Sequence, residues 1–199
     1  MKNRKKIKSV ITMIIVAMLI MSSVSVVFAV GEDQSKPTGS YTRIVNDDVV
    51  GTDYAQFNYF NVANWGVGHG GNQAGCYNSD ARWTQTPGEG FAFKFMGTRI
   101  KLYGYNASRH GIGDLSLDGG DPVEVDFWDP ATKARVLVYD SGELEYGEHE
   151  IKVVTTTKRN PGCTDASPYS WIVIDYIEYD APLADEDIDS VSIVGGSDE

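Results

Sequence analysis

The chain has 199 residues, 42% of them hydrophobic and 23% charged, with seventeen basic against twenty-eight acidic residues and a formal net charge of −11. That balance excludes two partner classes, because nucleic acid and anionic membrane surfaces select clustered Lys and Arg. The length suits one domain with a core of its own, plus short tails.

From the start of the chain, Met1 to Lys8 carries five basic residues and no acid, and it runs directly into the apolar stretch Val10 to Met21. Small residues at Val27 and Ala29 then fit the minus-three and minus-one positions of a signal peptidase site, so residues 1–29 read as a secretory leader cleaved after Ala29. The competing reading is an uncleaved anchor, since an apolar run of about 20 residues spans a bilayer. On the first reading the mature product is soluble, secreted and, from its Lys-rich leader, bacterial, with no membrane insertion of the mature form. It then keeps twelve basic residues against all twenty-eight acidic ones.

Residues 30–40 are polar, with Gly, Pro and Ser, and read as a linker. The domain is expected over 41–181, and 182–199 reads as an acidic flexible tail. Between these limits no helical period persists for three turns, whereas short alternating runs recur between turn residues. In Phe91-Ala92-Phe93-Lys94-Phe95 the three phenylalanines share one face; Arg99 to Tyr105 alternates in the same way after the turn Met96-Gly97-Thr98, which predicts a hairpin. Leu115 to Leu117, the tight-turn signal Asp118-Gly119-Gly120-Asp121 and Val123 to Phe127 predict a second one. Val136 to Tyr139, His149 to Val154 and Trp171 to Tyr179 complete an all-β chain of about seven or eight strands, the patterning of a β-sandwich jelly roll, with an up-and-down barrel as the alternative.

Several of these segments in order also resemble a known family. Phe95-Met96-Gly97-Thr98-Arg99-Ile100-Lys101-Leu102-Tyr103-Gly104, then His110 to Gly120, then Leu137 to Leu144, Gly147 to Val153 and Ile174 to Glu178 resemble the galactose-binding-like jelly-roll modules attached to bacterial glycoside hydrolases. The resemblance spans about Tyr41 to Ala181. It implies a galactose-binding-like β-sandwich and a carbohydrate partner, a polysaccharide or glycoconjugate. It also implies an optional structural calcium at an oxygen-rich turn such as Asn46-Asp47-Asp48, although such a turn is ordinarily only solvated. No cofactor is required. The family's enzymes carry the module beside a catalytic domain, whereas here little chain follows it, so it is expected to work alone.

Sugar recognition needs flat apolar faces for the C–H side of a pyranose and planar polar groups for its hydroxyls. Three loops offer them. The Gly-rich run Asn64 to Asp80 carries Trp65, Tyr77 and Asn78; Tyr105 to His110 carries Tyr105, Asn106, Arg109 and His110; and Lys158 to Cys163 carries Arg159. Trp65 and Tyr77 are expected at the surface and Trp83 and Trp171 in the core, with Trp128 open to either reading. Cys76 and Cys163, the two cysteines of a chain read as exported, are expected to form a disulfide tying the first and third loops, a crosslink on the order of 4–5 kcal/mol before strain. A zinc pair would lack its nearby partner ligands. No nucleophile elbow or His-Glu-x-x-His pattern accompanies His69, His110 and His149, and His149 is expected on a solvated strand face, so the chain reads as a non-enzyme. The alternative function is a cell-surface adhesion or structural protein that uses the same sandwich to bind a protein partner.

Overall fold

The computed structural model describes residues 40–68, 75–163 and 170–182. The leader, most of the linker and nearly all of the acidic tail therefore lie outside the described residues, as does His69. In chain order the strands are β1 (Ser40–Asn46), β2 (Phe57–Tyr59), β3 (Gly66–Val67), β4 (Arg82–Thr84), β5 (Gly90–Gly97), β6 (Ile100–Asn106), β7 (Ile112–Leu117), β8 (Val123–Asp126), β9 (Lys133–Asp140), β10 (Gly147–Thr155) and β11 (Ile172–Pro182). Single 3₁₀ turns, Val62–Asn64 and Tyr77–Ser79, sit between the early strands.

The strands form two antiparallel sheets. One runs β3-β4-β11-β6-β9 with β1 also paired to β11, and the other runs β2-β5-β10-β7-β8. The expected all-β sandwich with jelly-roll crossing between sheets is what the chain forms, and two separate sheets rule out the closed barrel. The hairpin β7-turn-β8 is present, with Leu115 opposite Val123 and Asp118 and Gly119 in left-handed turn conformations.

The other predicted hairpin is not. Strand β5 pairs with β2 and β10, whereas β6 pairs with β11 and β9, so the turn at Thr98 crosses from one sheet to the other. Each strand has one apolar face, and crossing lets both faces meet. Phe91, Phe93 and Phe95 from β5 thus face Ile100 and Leu102 from β6, with Ile151 and Val153 of β10 and Ile172, Ile174 and Ile177 of β11 closing the same core. Burying side chains of this size stabilises by roughly 1.5–3 kcal/mol each before chain entropy is counted.

Polar groups are buried at one edge of this core. Asp47, which follows β1, is fully buried; its N–H donates to the Asp175 carbonyl (3.2 Å), and the Tyr59 hydroxyl donates to the Asp47 carbonyl (3.0 Å). Neither carboxylate oxygen of Asp47 has a hydrogen bond, and its cationic neighbour is Arg82, 3.6 Å away and held over the Tyr59 ring. Burial, then the charge of Asp80, pushes the Asp47 carboxyl up to about 8, against the pull of Arg82. Asp175, also fully buried, is raised to about 6, mainly by burial.

A carboxyl raised in the folded state binds its proton more tightly there than in the unfolded chain. The stability it contributes is full below its ordinary pKa of about 4 and is lost as pH rises through the folded value. Thermal unfolding is therefore expected to fall in midpoint between pH 5 and pH 8, and Asp47→Asn is expected to flatten that fall. A variant that keeps the wild-type slope would show that Asp47 is not the group responsible.

Candidate functional site

At one end of the sandwich three segments meet, the turn Ala107–His110 after β6, the segment Asp126–Lys133 after β8 and the loop Thr156–Cys163 after β10. Backbone pairing places the turn between two tryptophans, since Ala107 bridges to Trp128 and His110 bridges to Trp171. The Asp126 carboxylate binds two of the segments together, accepting from the Trp128 N–H (2.9 Å) and from the Asn160 side-chain amide (2.6 Å). The Asn106 amide reaches the Asp126 carbonyl (3.3 Å), and Asn160 in turn accepts from the Gly162 N–H (2.8 Å). Gly162 lies directly on the Trp128 ring, where a Cβ would stand 2.6 Å from two ring carbons, so glycine is the residue that lets this loop close down.

Trp128 is half-buried and its indole N–H is buried without a hydrogen-bond partner. On the three segments, Arg109 and Ser108 are exposed, while Arg159, Asn160 and Asp129 are half-buried. The Lys133 ammonium, then the Ala131 N–H, hold the Asp129 carboxyl below its ordinary range. On the other side of the turn, Trp171 packs on Trp83 in a tilted arrangement with ring centroids 4.5 Å apart, and the Trp83 indole donates to the Gly68 carbonyl (2.9 Å). The end of the sandwich thus combines half-buried indole surface with cationic, amide and carboxylate groups on loops that are cross-bonded to one another.

The expected site residues divide. Arg109 and Arg159 lie on the two loops that meet here. Tyr105, Asn106 and His110 belong to the same end, but each is at most 6% exposed. His110 Nδ1 stands 2.7 Å from the Tyr105 carbonyl, and because a carbonyl only accepts, Nδ1 carries the proton. These three shape the turn from beneath, and the expectation that they face a ligand is corrected. Trp65 is corrected more strongly. At 5% exposed it packs on Tyr59 with ring centroids 4.5 Å apart and donates to the Phe60 carbonyl (3.2 Å), as part of the main core.

Tyr77 is half-buried on the outer face of the six-stranded sheet, 5.3 Å from Tyr176, which stacks in turn on Tyr103. Asn78 beside it is exposed, in a left-handed conformation. Trp83 and Trp171, expected in the core, are instead half-buried. His149, expected on a solvated face, is packed against Phe95 and held between the Asp118 carboxylate (2.7 Å) and the Glu145 carbonyl (2.9 Å).

The expected disulfide is not formed, and Cys76 and Cys163 are two separate thiols. Cys76 is buried with Ala81, Tyr105 and Val173, where burial and then the neighbouring Asp175 push its thiol up to about 12. Cys163 Sγ is turned toward the Ser108 carbonyl (3.3 Å). Asp126 ties the third loop elsewhere, to the segment after β8.

At the turn expected to hold a structural calcium, the Asn46 side-chain N–H donates to Asp48 and Asp80, while Asn46 Oδ1 and both Asp47 carboxylate oxygens are buried without a hydrogen bond and Arg82 lies 3.6 Å from Asp47. Among the described residues no three His, Cys, Asp or Glu side chains converge as metal ligands.

No family model matches the chain. Over 78 residues, 39% of the chain, it is 36% identical to an A type blood N-acetyl-alpha-D-galactosamine deacetylase of Flavonifractor plautii. Over 89 residues, 45% of the chain, it is 32% identical to an A type blood alpha-D-galactosamine galactosaminidase of the same organism. The chain spans 10% and 8% of the length of these two relatives. Among solved structures it is similar to a family two carbohydrate esterase from Cellvibrio japonicus, with a TM-score of 0.45 and 14% identity over 72% of this chain and 34% of that one. It is also similar to the CBM36-1 domain of a multidomain xylanase from the hindgut metagenome of Trinervitermes trinervoides, with a TM-score of 0.41 and 15% identity over 72% of this chain and 99% of that one.

Thiol titration of the protein, unfolded without reductant, is expected to find two free cysteines per chain. Finding none would restore the crosslink.

Proposed function

We propose that the protein is an exported, non-catalytic module that holds a galactose-configured glycan at the loop end of the sandwich, with Trp128 as the stacking surface and Arg109, Arg159 and Asn160 as the polar contacts. One observation supports this reading above the others: the chain resembles short stretches of two enzymes whose names describe different reactions, deacetylation and glycoside cleavage. A stretch of a tenth or less of each enzyme is a poor candidate for two unlike chemistries. What their names share is galactosamine, so the stretches that match this chain are best read as serving recognition of the sugar rather than its reaction.

The geometry supports the same reading. An indole gives the C–H face of a pyranose a flat apolar surface, and guanidinium and amide groups beside it match the donor and acceptor capacity of ring hydroxyls. Loops held by Asp126 and Asn160 have little freedom left to lose on binding, which lowers the ordering cost. A shallow site with few stacking contacts still implies modest affinity, because little interaction energy remains after immobilisation is offset.

Trp128→Ala is expected to weaken binding of methyl α-D-galactosaminide about tenfold or more, the scale of one lost aromatic contact in a desolvated site, with the circular dichroism spectrum unchanged. Binding equal to wild type would remove Trp128 from the site. Trp65→Ala is expected to behave in the opposite way, lowering the unfolding midpoint through loss of core packing.

A further inference from the structure

The outer face of the five-stranded sheet carries a second polar concavity that the loop-end reading does not use. Strands β2, β5 and β10 form its floor, and the loop Gly51–Gln56 forms its wall. The cavity has a volume of about 160 Å³ and is lined by Thr52, Asp53, Gln56, Asn58, Lys94 and Glu150 around Ala92. Ala92 is opposite Asn58 on one side and Lys152 on the other, so its small side chain leaves a depression between longer neighbours.

The wall is built rather than loose. The Gly51 N–H donates to the Phe57 carbonyl (3.1 Å), the Phe57 N–H to Val49 (2.8 Å) and the Ala55 N–H to Lys94 (2.8 Å), while the Gln56 side chain accepts from the Asp53 N–H (3.2 Å). A Cβ at Gly51 would overlap the Gln56 amide, so the glycine leaves the room that side chain occupies. The Tyr54 hydroxyl anchors the loop tip by donating to Glu148.

Not every polar group facing the cavity is spent within the protein. Lys94 and Glu150 are directly opposite in register yet form no ion pair, and among the described residues the side chains of Thr52, Asn58 and Lys94 make no hydrogen bond. Opposite charges at directly paired positions ordinarily bond to each other. Here an ammonium, two carboxylates, two amides and a hydroxyl line one small space.

We infer that this concavity is a second ligand site, separate from the loop end, that takes a single sugar ring through its hydroxyls. Each hydroxyl both donates and accepts, so adjacent hydroxyls on a ring match a cavity in which Lys94 and Asn58 donate while Asp53 and Glu150 accept. The volume is on the scale of one ring, below the roughly 300 Å³ at which drug-sized pockets begin. Two sites on different faces of one module let a branched or repeating glycan engage both, and linked engagement raises retention beyond either site alone.

The test is a backbone-amide NMR titration of the protein with D-galactose. Saturable shifts are expected at Thr52 to Asn58, Ala92 to Lys94 and Glu150, and they are expected to persist in Trp128→Ala, which separates this site from the loop end. Lys94→Met and Glu150→Gln are each expected to weaken these shifts about tenfold, as for loss of a charged hydrogen-bonding group, with the rest of the spectrum unchanged. A folded wild-type spectrum in which none of these amides moves, or variants that titrate as wild type, would overturn the site.

Discussion

Strand β11 is the element on which the rest of the structure depends. It is the longest strand, and three others take their register from it, β1 and β4 along one side and β6 along the other. Its pairing with β6 shifts register between Ile174 and Tyr176, an irregularity that falls at Asp175. The shift leaves Asp175 fully buried, where its carboxylate accepts from the Tyr77 N–H (2.8 Å) and its carbonyl from the Asp47 N–H. One strand irregularity therefore ties down both the segment after β1 and the segment that covers the outer face of the sheet. Irregularities of this kind re-aim side chains without breaking a sheet.

The fold was largely legible because period-two alternation is a local signal. Phe91, Phe93 and Phe95 declare a buried face whatever they pair with, and Asp118-Gly119 declares a turn. The partner of a strand is not local. Strands β5 and β6 alternate across a short turn, and that pattern is the same whether the chain folds back within a sheet or crosses to the next. Pairing with β10 and β11, far along the chain, decides it. The cysteines misled for a related reason, since parity and compartment say that a bond is allowed and nothing about whether two thiols face each other.

The site was legible in its loops and not in its side chains. Tyr105, Asn106 and His110 lie at the turn that the sequence named, but a turn this tight has an inside, and these three fill it. Trp65 opens a Gly-rich, polar run that reads as exposed, yet Tyr59 and Phe60, a few residues earlier, provide a ring face and a carbonyl for its indole. Trp128 carried a usable signal. With Val125 and Phe127 facing the core, alternation places residue 128 on the opposite side. The polar concavity over Ala92 had no signal in sequence, because it depends on a small residue lying between long ones on neighbouring strands.

The two proposed sites use the same sandwich differently. Loops cross-bonded through Asp126 present an aromatic surface, whereas the sheet face presents only polar groups on a rigid floor. Glycan-array binding by the protein tests the shared premise most directly. Selective retention on glycans ending in galactose or galactosamine, with release by the free sugar, is the expected result. A folded sample that is retained on no glycan would contradict it and leave a protein partner as the reading to pursue.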